Sequence, residues 1–157
     1  MSSKSLDKLK TAKGKELYEV ILEVELESEK EYLKLAEKVS NKKVSSLFKK
    51  IAKEERKHHD KIAKQFLDAL YQMEEWMMPE KLDLPQFKEA PDSSSVSGDI
   101  EYKKALEIAL EGEKTAYAIY TSASEKTEHK ATKKMLISIA KEEKKHYEFI
   151  LSEFQSR

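Results

Sequence analysis

The chain reads IAKEERKHHDKI from Ile51 to Ile62 and IAKEEKKHYEFI from Ile139 to Ile150. Apolar residues three and four apart mark one face of a helix. Stepping along that face from Ile51 to Ile62 passes through Glu55 and His58, and from Ile139 to Ile150 through Glu143 and His146. A stripe that should be wholly apolar is therefore interrupted by the same polar pair in both copies. Three-residue spacing on a helix brings the two side chains together, about 5–6 Å apart at Cβ, so each pair can face one object.

The steps from Glu55 to Glu143 and from His58 to His146 are both 88 positions. The same offset carries Leu22 onto Leu110, Glu25 onto Glu113 and Tyr32 onto Tyr120 without a gap, so the match extends into the preceding helix. Helical periodicity runs over about Lys15–Val39, Val44–Met77, Ile100–Lys126 and Thr132–Gln155. The gaps around SNKK and TEHKA are short enough to force antiparallel hairpins. All three prolines fall between Pro79 and Gly98, in a stretch rich in Pro, Ser and Asp with no helical period. The expectation is one all-α domain over 1–157: hairpin 1 at about 15–78, a linker at about 79–98, and hairpin 2 at about 99–155. About 20 extended residues reach roughly 60 Å, whereas a helix of about 28 residues is roughly 42 Å long, so the linker can cross the whole bundle. A four-helix bundle made of two hairpins and one long crossover follows. The same reach allows hairpins to be exchanged in a homodimer.

Composition narrows the chemistry. The chain of 157 residues has no cysteine, which excludes disulfides, thiolate metal sites and thiol nucleophiles. Thirty basic and thirty acidic side chains cancel, with no basic block separated from an acidic one along the sequence, so neither nucleic acid nor an anionic membrane is expected as partner. No run approaches the roughly 18 apolar residues of a membrane span, and MSSKSLDKLKTAKGKEL has no apolar secretion core, which reads as cytoplasmic.

The helices that precede each Glu-x-x-His copy carry Leu22, Glu25, Tyr32 and Ala36, and Leu110, Glu113, Tyr117 and Tyr120, on their stripes. Each of the four helices thus points a carboxylate inward near mid-length. Buried unpaired carboxylates cost several kcal/mol each and repel one another, so the cluster needs positive charge. No Lys or Arg lies on the stripes, and a metal cation is the obvious source; four carboxylates match two divalent ions. The ligand set of Glu25, Glu55, His58, Glu113, Glu143 and His146 suits iron or manganese, and zinc less well, although zinc can occupy such a site in a purified sample. Glu54 and Glu142 sit one residue off the stripe and read as solvated. His59 and His129 have no histidine at the matching repeat position and read as surface. The cluster MEEWMMP at Met73–Pro79 reads as helix-end packing or a dimer contact.

One Glu from each of two helices with a Glu-x-x-His from each of the other two is the inward ligand set of ferritin-like dimetal proteins. On these motifs, together with ILEVELESEKEYLKLAEK and IALEGEKTAYAIYTSASEK, the chain resembles the di-iron domain of the rubrerythrin family over about Lys15 to Phe154. The resemblance implies two iron ions bridged by Glu55 and Glu143, with His58 and His146 each capping one ion, Glu25 and Glu113 terminal, and Tyr32, and by the repeat Tyr120, hydrogen-bonding beside the ligands. It implies an oxidoreductase that reduces hydrogen peroxide or reacts with dioxygen. The rubredoxin module of full-length rubrerythrins needs two Cys-x-x-Cys pairs, so here the electron donor is a separate protein. A further family glutamate, three residues after the terminal ligand of the third bundle helix, is Ala116 in this chain. Two other readings of the same residues are a protein that oxidises and passes on Fe(II), and a metal-stabilised bundle without turnover.

Overall fold

A computed structural model describes residues 3–71, 82–87 and 102–156. It contains α1 (Ser3–Thr11), α2 (Gly14–Lys38), α3 (Lys42–Tyr71), α4 (Tyr102–Lys126) and α5 (Lys130–Gln155). The four long helices fall where periodicity places them. The stretch from Gln72 to Met77, the cluster Met73–Pro79 and most of the linker lie outside the described residues. Helix α1 is an addition to the expected four. Its Leu9, and Ala12 just past its end, are fully buried, and Ser5 donates a hydrogen bond to Glu27 of α2. The chain turns from α1 into α2 at Gly14, whose φ of 60° is a left-handed conformation that glycine adopts without steric cost.

The two hairpins start their second helices in the same way. Asn41 Oδ1 accepts the Val44 N–H at 3.0 Å, and His129 Nδ1 accepts the Thr132 N–H at 3.2 Å. Each caps an otherwise unpaired donor in the first turn. Asn41 and His129 are also 88 positions apart, so the repeat extends to the caps. His129 has a structural task that its reading as a surface residue missed. Ser45 Oγ donates to the Ala36 carbonyl at 2.7 Å and ties α3 back to α2.

Helix α2 packs along α3 and α4 along α5; the hairpins then meet through α3 against α5 and α2 against α4. Cross-hairpin bonds give the directions. Glu54 meets His146 while His58 meets Glu142, so partner numbers fall as residue numbers rise and α3 runs antiparallel to α5. Tyr32 with Glu113 and Tyr120 with Glu25 make the same argument for α2 and α4. With α2 antiparallel to both α3 and α4, the latter two are parallel, and the segment between them is a crossover connection. Its described part packs beside the C-terminal end of α4: Leu82 is buried, the Asp83 N–H bonds Ser122 Oγ at 2.9 Å, and Lys126 pairs with Asp83 at 2.9 Å.

The apolar core is in two pieces. One holds Leu9, Leu17, Ile21, Ile62, Leu136 and Ile139 with their neighbours; the other holds Leu35, Val44, Phe48, Ile51, Leu106 and Ile150. Each fully buried side chain of this size contributes about 1.5–3 kcal/mol. Between the pieces lies a layer of buried Glu and His. Tyr117, placed on the inner stripe by spacing, is 40% exposed, while Ala116 is partly buried against the first core. Among the described residues, no helix is long and apolar enough to cross a membrane.

Charges that mix evenly along the sequence separate in the fold. Helices α3 and α5 together carry 15 basic and 8 acidic residues, whereas α2 and α4 carry 8 basic and 12 acidic. The square arrangement puts these pairs on opposite faces. The sequence does not show this separation, because a tally along the chain ignores which helices become neighbours.

Candidate metal centre

All six residues singled out by the repeat converge between the two cores. Glu25, Glu55, His58, Glu113, Glu143 and His146 have exposures of 0–3%. They form two groups, Glu25, Glu55, His58 and Glu143, and Glu55, Glu113, Glu143 and His146, each with ligand atoms within 4.8 Å of one another. Glu55 and Glu143 belong to both groups. His58 Nδ1 lies 2.7 Å from Glu143 Oε1 and 3.8 Å from both Glu25 and Glu55. His146 Nδ1 lies 3.3 Å from Glu55, 3.5 Å from Glu113 and 3.8 Å from Glu143. The rings stand 6.0 Å apart, one over each group.

Tyr32 Oη donates to Glu113 and Tyr120 Oη to Glu25, each reaching across to the other hairpin. These bonds occupy one oxygen of each terminal carboxylate and leave the other directed inward. Glu54 and Glu142 require correction. Each bonds the Nε2 of the histidine on the opposite hairpin, Glu54 to His146 and Glu142 to His58. They are about one-third exposed, not free in solvent, at 33% and 40%. A carboxylate on Nε2 fixes the ring orientation and leaves Nδ1 to face the cluster. The bond runs between hairpins, so helical spacing within one chain segment could not reveal it; the repeat of Glu54 at Glu142 was its only trace. His59 pairs with its neighbour Asp60 at 3.0 Å and belongs to neither ligand group.

Gathering these carboxylates in a buried layer shifts their ionisation. Burial first, and then the nearby Glu55 and Glu143, push the Glu25 carboxyl well above the usual range. Burial and Glu143 do the same to Glu113. Glu143 is pushed up to about 7 by burial and by Glu55. Burial would raise Glu55 as well, but the imidazoles of His146 and His58 outweigh it and hold it low. Burial opposes charge on His146, yet Glu113, Glu143 and Glu55 outweigh that and raise its pKa. Burial and the facing carboxylates raise both tyrosines far enough to keep them neutral donors.

Seven buried polar atoms of the cluster make no hydrogen bond: Glu25 Oε2, Glu55 Oε1, Glu113 Oε2, both oxygens of Glu143, and Nδ1 of His58 and His146. Buried polar atoms are almost always bonded, and these seven are turned toward one another. Oxygen- and imidazole-rich donors around a shared carboxylate pair fit two hard or borderline divalent cations. Ala116, one turn beyond Glu113 on α4, adds no carboxylate.

A helical bundle with a buried, two-fold repeated carboxylate and histidine cluster is the architecture of the ferritin-like dimetal class. The family model for rubrerythrin matches residues 17–153, and the chain belongs to that family. A solved structure of a hypothetical protein from Pyrococcus furiosus is similar in fold, with a TM-score of 0.65, 20% identity, and coverage of 86% of this chain and 84% of that one. No curated protein matches the chain.

Proposed function

We propose that the chain binds two metal ions, iron in its working form, and uses them to reduce hydrogen peroxide or dioxygen with electrons from a separate protein. The observation that carries this reading is the sharing of Glu55 and Glu143 by two groups that each add one carboxylate and one imidazole. Manganese satisfies the same donors. Iron is favoured by the family and by the redox task, since a bound iron pair supplies electrons in single steps.

The protein's own groups set the conditions for that chemistry. Tyr32 and Tyr120 hold the terminal carboxylates in place with neutral phenols. Glu54 and Glu142 hold the imidazoles, and the two cores exclude water from either side. A low-dielectric site strengthens every interaction between ligand and cation.

The test is elemental analysis of protein purified without chelator, followed by steady-state peroxide consumption with an added reductant. Two ions per chain with turnover supports the reading. Two ions without turnover would favour a structural dimetal bundle, and no metal after anaerobic exposure to Fe(II) would overturn it.

A further inference from the structure

The separation of charge has a particular address. The basic pair of helices, α3 and α5, is also the pair that carries His58 and His146, and a groove runs between them on the outer surface. One depression in it is lined by Glu54, Lys57, Glu142, Lys145, His146 and Phe149. A second, further along, includes Lys61, Lys64 and Lys134. Glu55 and Glu143 contribute two of the eight acidic residues of this helix pair but are buried, so the outer surface is more basic than the tally indicates. Among the described residues, Lys57, Lys64, Lys134 and Lys145 form no ion pair, while Lys61 lies 3.8 Å from Glu142.

Phe149 sits among these lysines at 56% exposure. An aromatic side chain ringed by charges is the anatomy of a protein-docking patch. Directly beneath, His146 spans from the groove to the cluster: Nε2 meets Glu54 at the outside, and Nδ1 lies 3.3 Å from Glu55 inside. A single imidazole separates the surface from the carboxylates.

We infer that the α3/α5 face docks a small acidic electron-carrier protein over Phe149 and His146. This rests on the redox reading above and names the class and the seat of its donor. At each encounter the carrier would give up one electron, which an iron pair held by the six clustered residues would accept. Two encounters, with two protons from solvent, balance the conversion of one hydrogen peroxide to two waters. A nucleic acid is the less suitable occupant. The guanidinium that could fork onto a phosphate, Arg56 of α3, is turned toward α2 and held by Glu29 through bonds of 2.7 and 2.8 Å. Steering by a charged face raises association rates by about 10–1,000-fold at low salt, and the gain is screened as salt rises.

The experiment titrates isotope-labelled, metal-loaded protein with a redox-inert, zinc-substituted acidic rubredoxin and maps amide shifts. Shifts are expected on α3 and α5 around Lys57, Lys145 and Phe149, fading between about 20 and 300 mM salt. The double substitution Lys57→Glu and Lys145→Glu should weaken binding at least about tenfold, while Lys34→Glu on α2 should weaken it less than about twofold. Reduction of the iron-loaded protein by reduced rubredoxin should slow in proportion, and reduction by dithionite should not. Shifts confined to α2 and α4, no shifts, or displacement by an equal concentration of short duplex DNA at about 150 mM salt would overturn the docking. If dithionite reduction and peroxide turnover proceed without mapped binding, the redox function stands and the docking falls. If binding maps as expected but neither reductant delivers electrons, the docking stands and the redox function falls.

Discussion

Glu142 and Glu143 are adjacent in sequence and have different tasks. Glu143 is fully buried and shared by both ligand groups, whereas Glu142 reaches His58 from the rim. Glu143→Ala should therefore abolish binding of at least one ion, as measured by metal titration. Glu142→Ala should leave both ions able to bind but weaken the His58 position by about 10–100-fold, the usual effect of losing a carboxylate behind a histidine ligand. No loss from Glu142→Ala would show that His58 needs no support, and a loss as complete as that of Glu143→Ala would show that Glu142 is itself a ligand. Tyr18 is a second residue whose chemistry the fold decides. It is buried against Phe66 at 4.8 Å, and burial, partly offset by Thr132, raises its pKa to about 12. Its hydroxyl forms no hydrogen bond of good geometry. The unfolded phenol ionises near 10 and the folded one near 12, so the neutral form is favoured by folding. Stability from this group is present below pH 10 and is lost as pH rises toward 12. Tyr18→Phe should flatten the fall in urea midpoint across that window and leave stability at pH 7 unchanged or slightly higher. An unaltered alkaline slope would mean that other groups cause it.

At the scale of elements, what could be read in the sequence was what recurs. Periodicity placed the four long helices, and the offset of 88 placed all six clustered residues, because a duplicated hairpin must repeat its inner face. Helix α1 spans only Ser3–Thr11, too short for a periodic signal. Tyr117 was misplaced because steps of three and four drift around a helix of 3.6 residues per turn, and α4 turns Ala116 inward instead. The starts of α2 and α3 depend on single residues. Gly14 is left-handed, and an added Cβ there would meet nothing within 4 Å, so the cost of Gly14→Ala is conformational alone, about 1–2 kcal/mol. Asn41→Ala removes the cap on Val44 and should cost about 1 kcal/mol. Denaturant unfolding of each variant and of the pair should show additive losses, since the two sites lie at different helix starts. A Gly14→Ala protein as stable as the parent would mean that the α1–α2 turn readily adopts another conformation.

For the whole molecule, the polar layer between the two cores sets the relation between folding and metal. Without cations, the fold holds four buried carboxylates and seven unbonded polar atoms where an ordinary bundle would hold apolar side chains. Each unbonded buried atom costs about 1–3 kcal/mol, which the two cores must offset. A ligand that binds only the folded chain stabilises it by about 2.7 kcal/mol at a free concentration of 100 times Kd. For a domain of this size, 1 kcal/mol moves the midpoint by about 2–4 °C, so one ion should raise Tm by about 5–10 °C and two ions by more. Thermal unfolding of chelator-treated protein, with and without anaerobic Fe(II), reads this directly. Glu25→Ala or Glu113→Ala, each affecting one group, should keep part of the rise, because the other group retains its four members. The double substitution Glu55→Ala and Glu143→Ala strips both groups and should remove the rise while relieving charge repulsion in the metal-free state. The metal-free double variant should therefore melt at or above the metal-free parent. A rise that survives in the double variant would place the metal elsewhere on the chain.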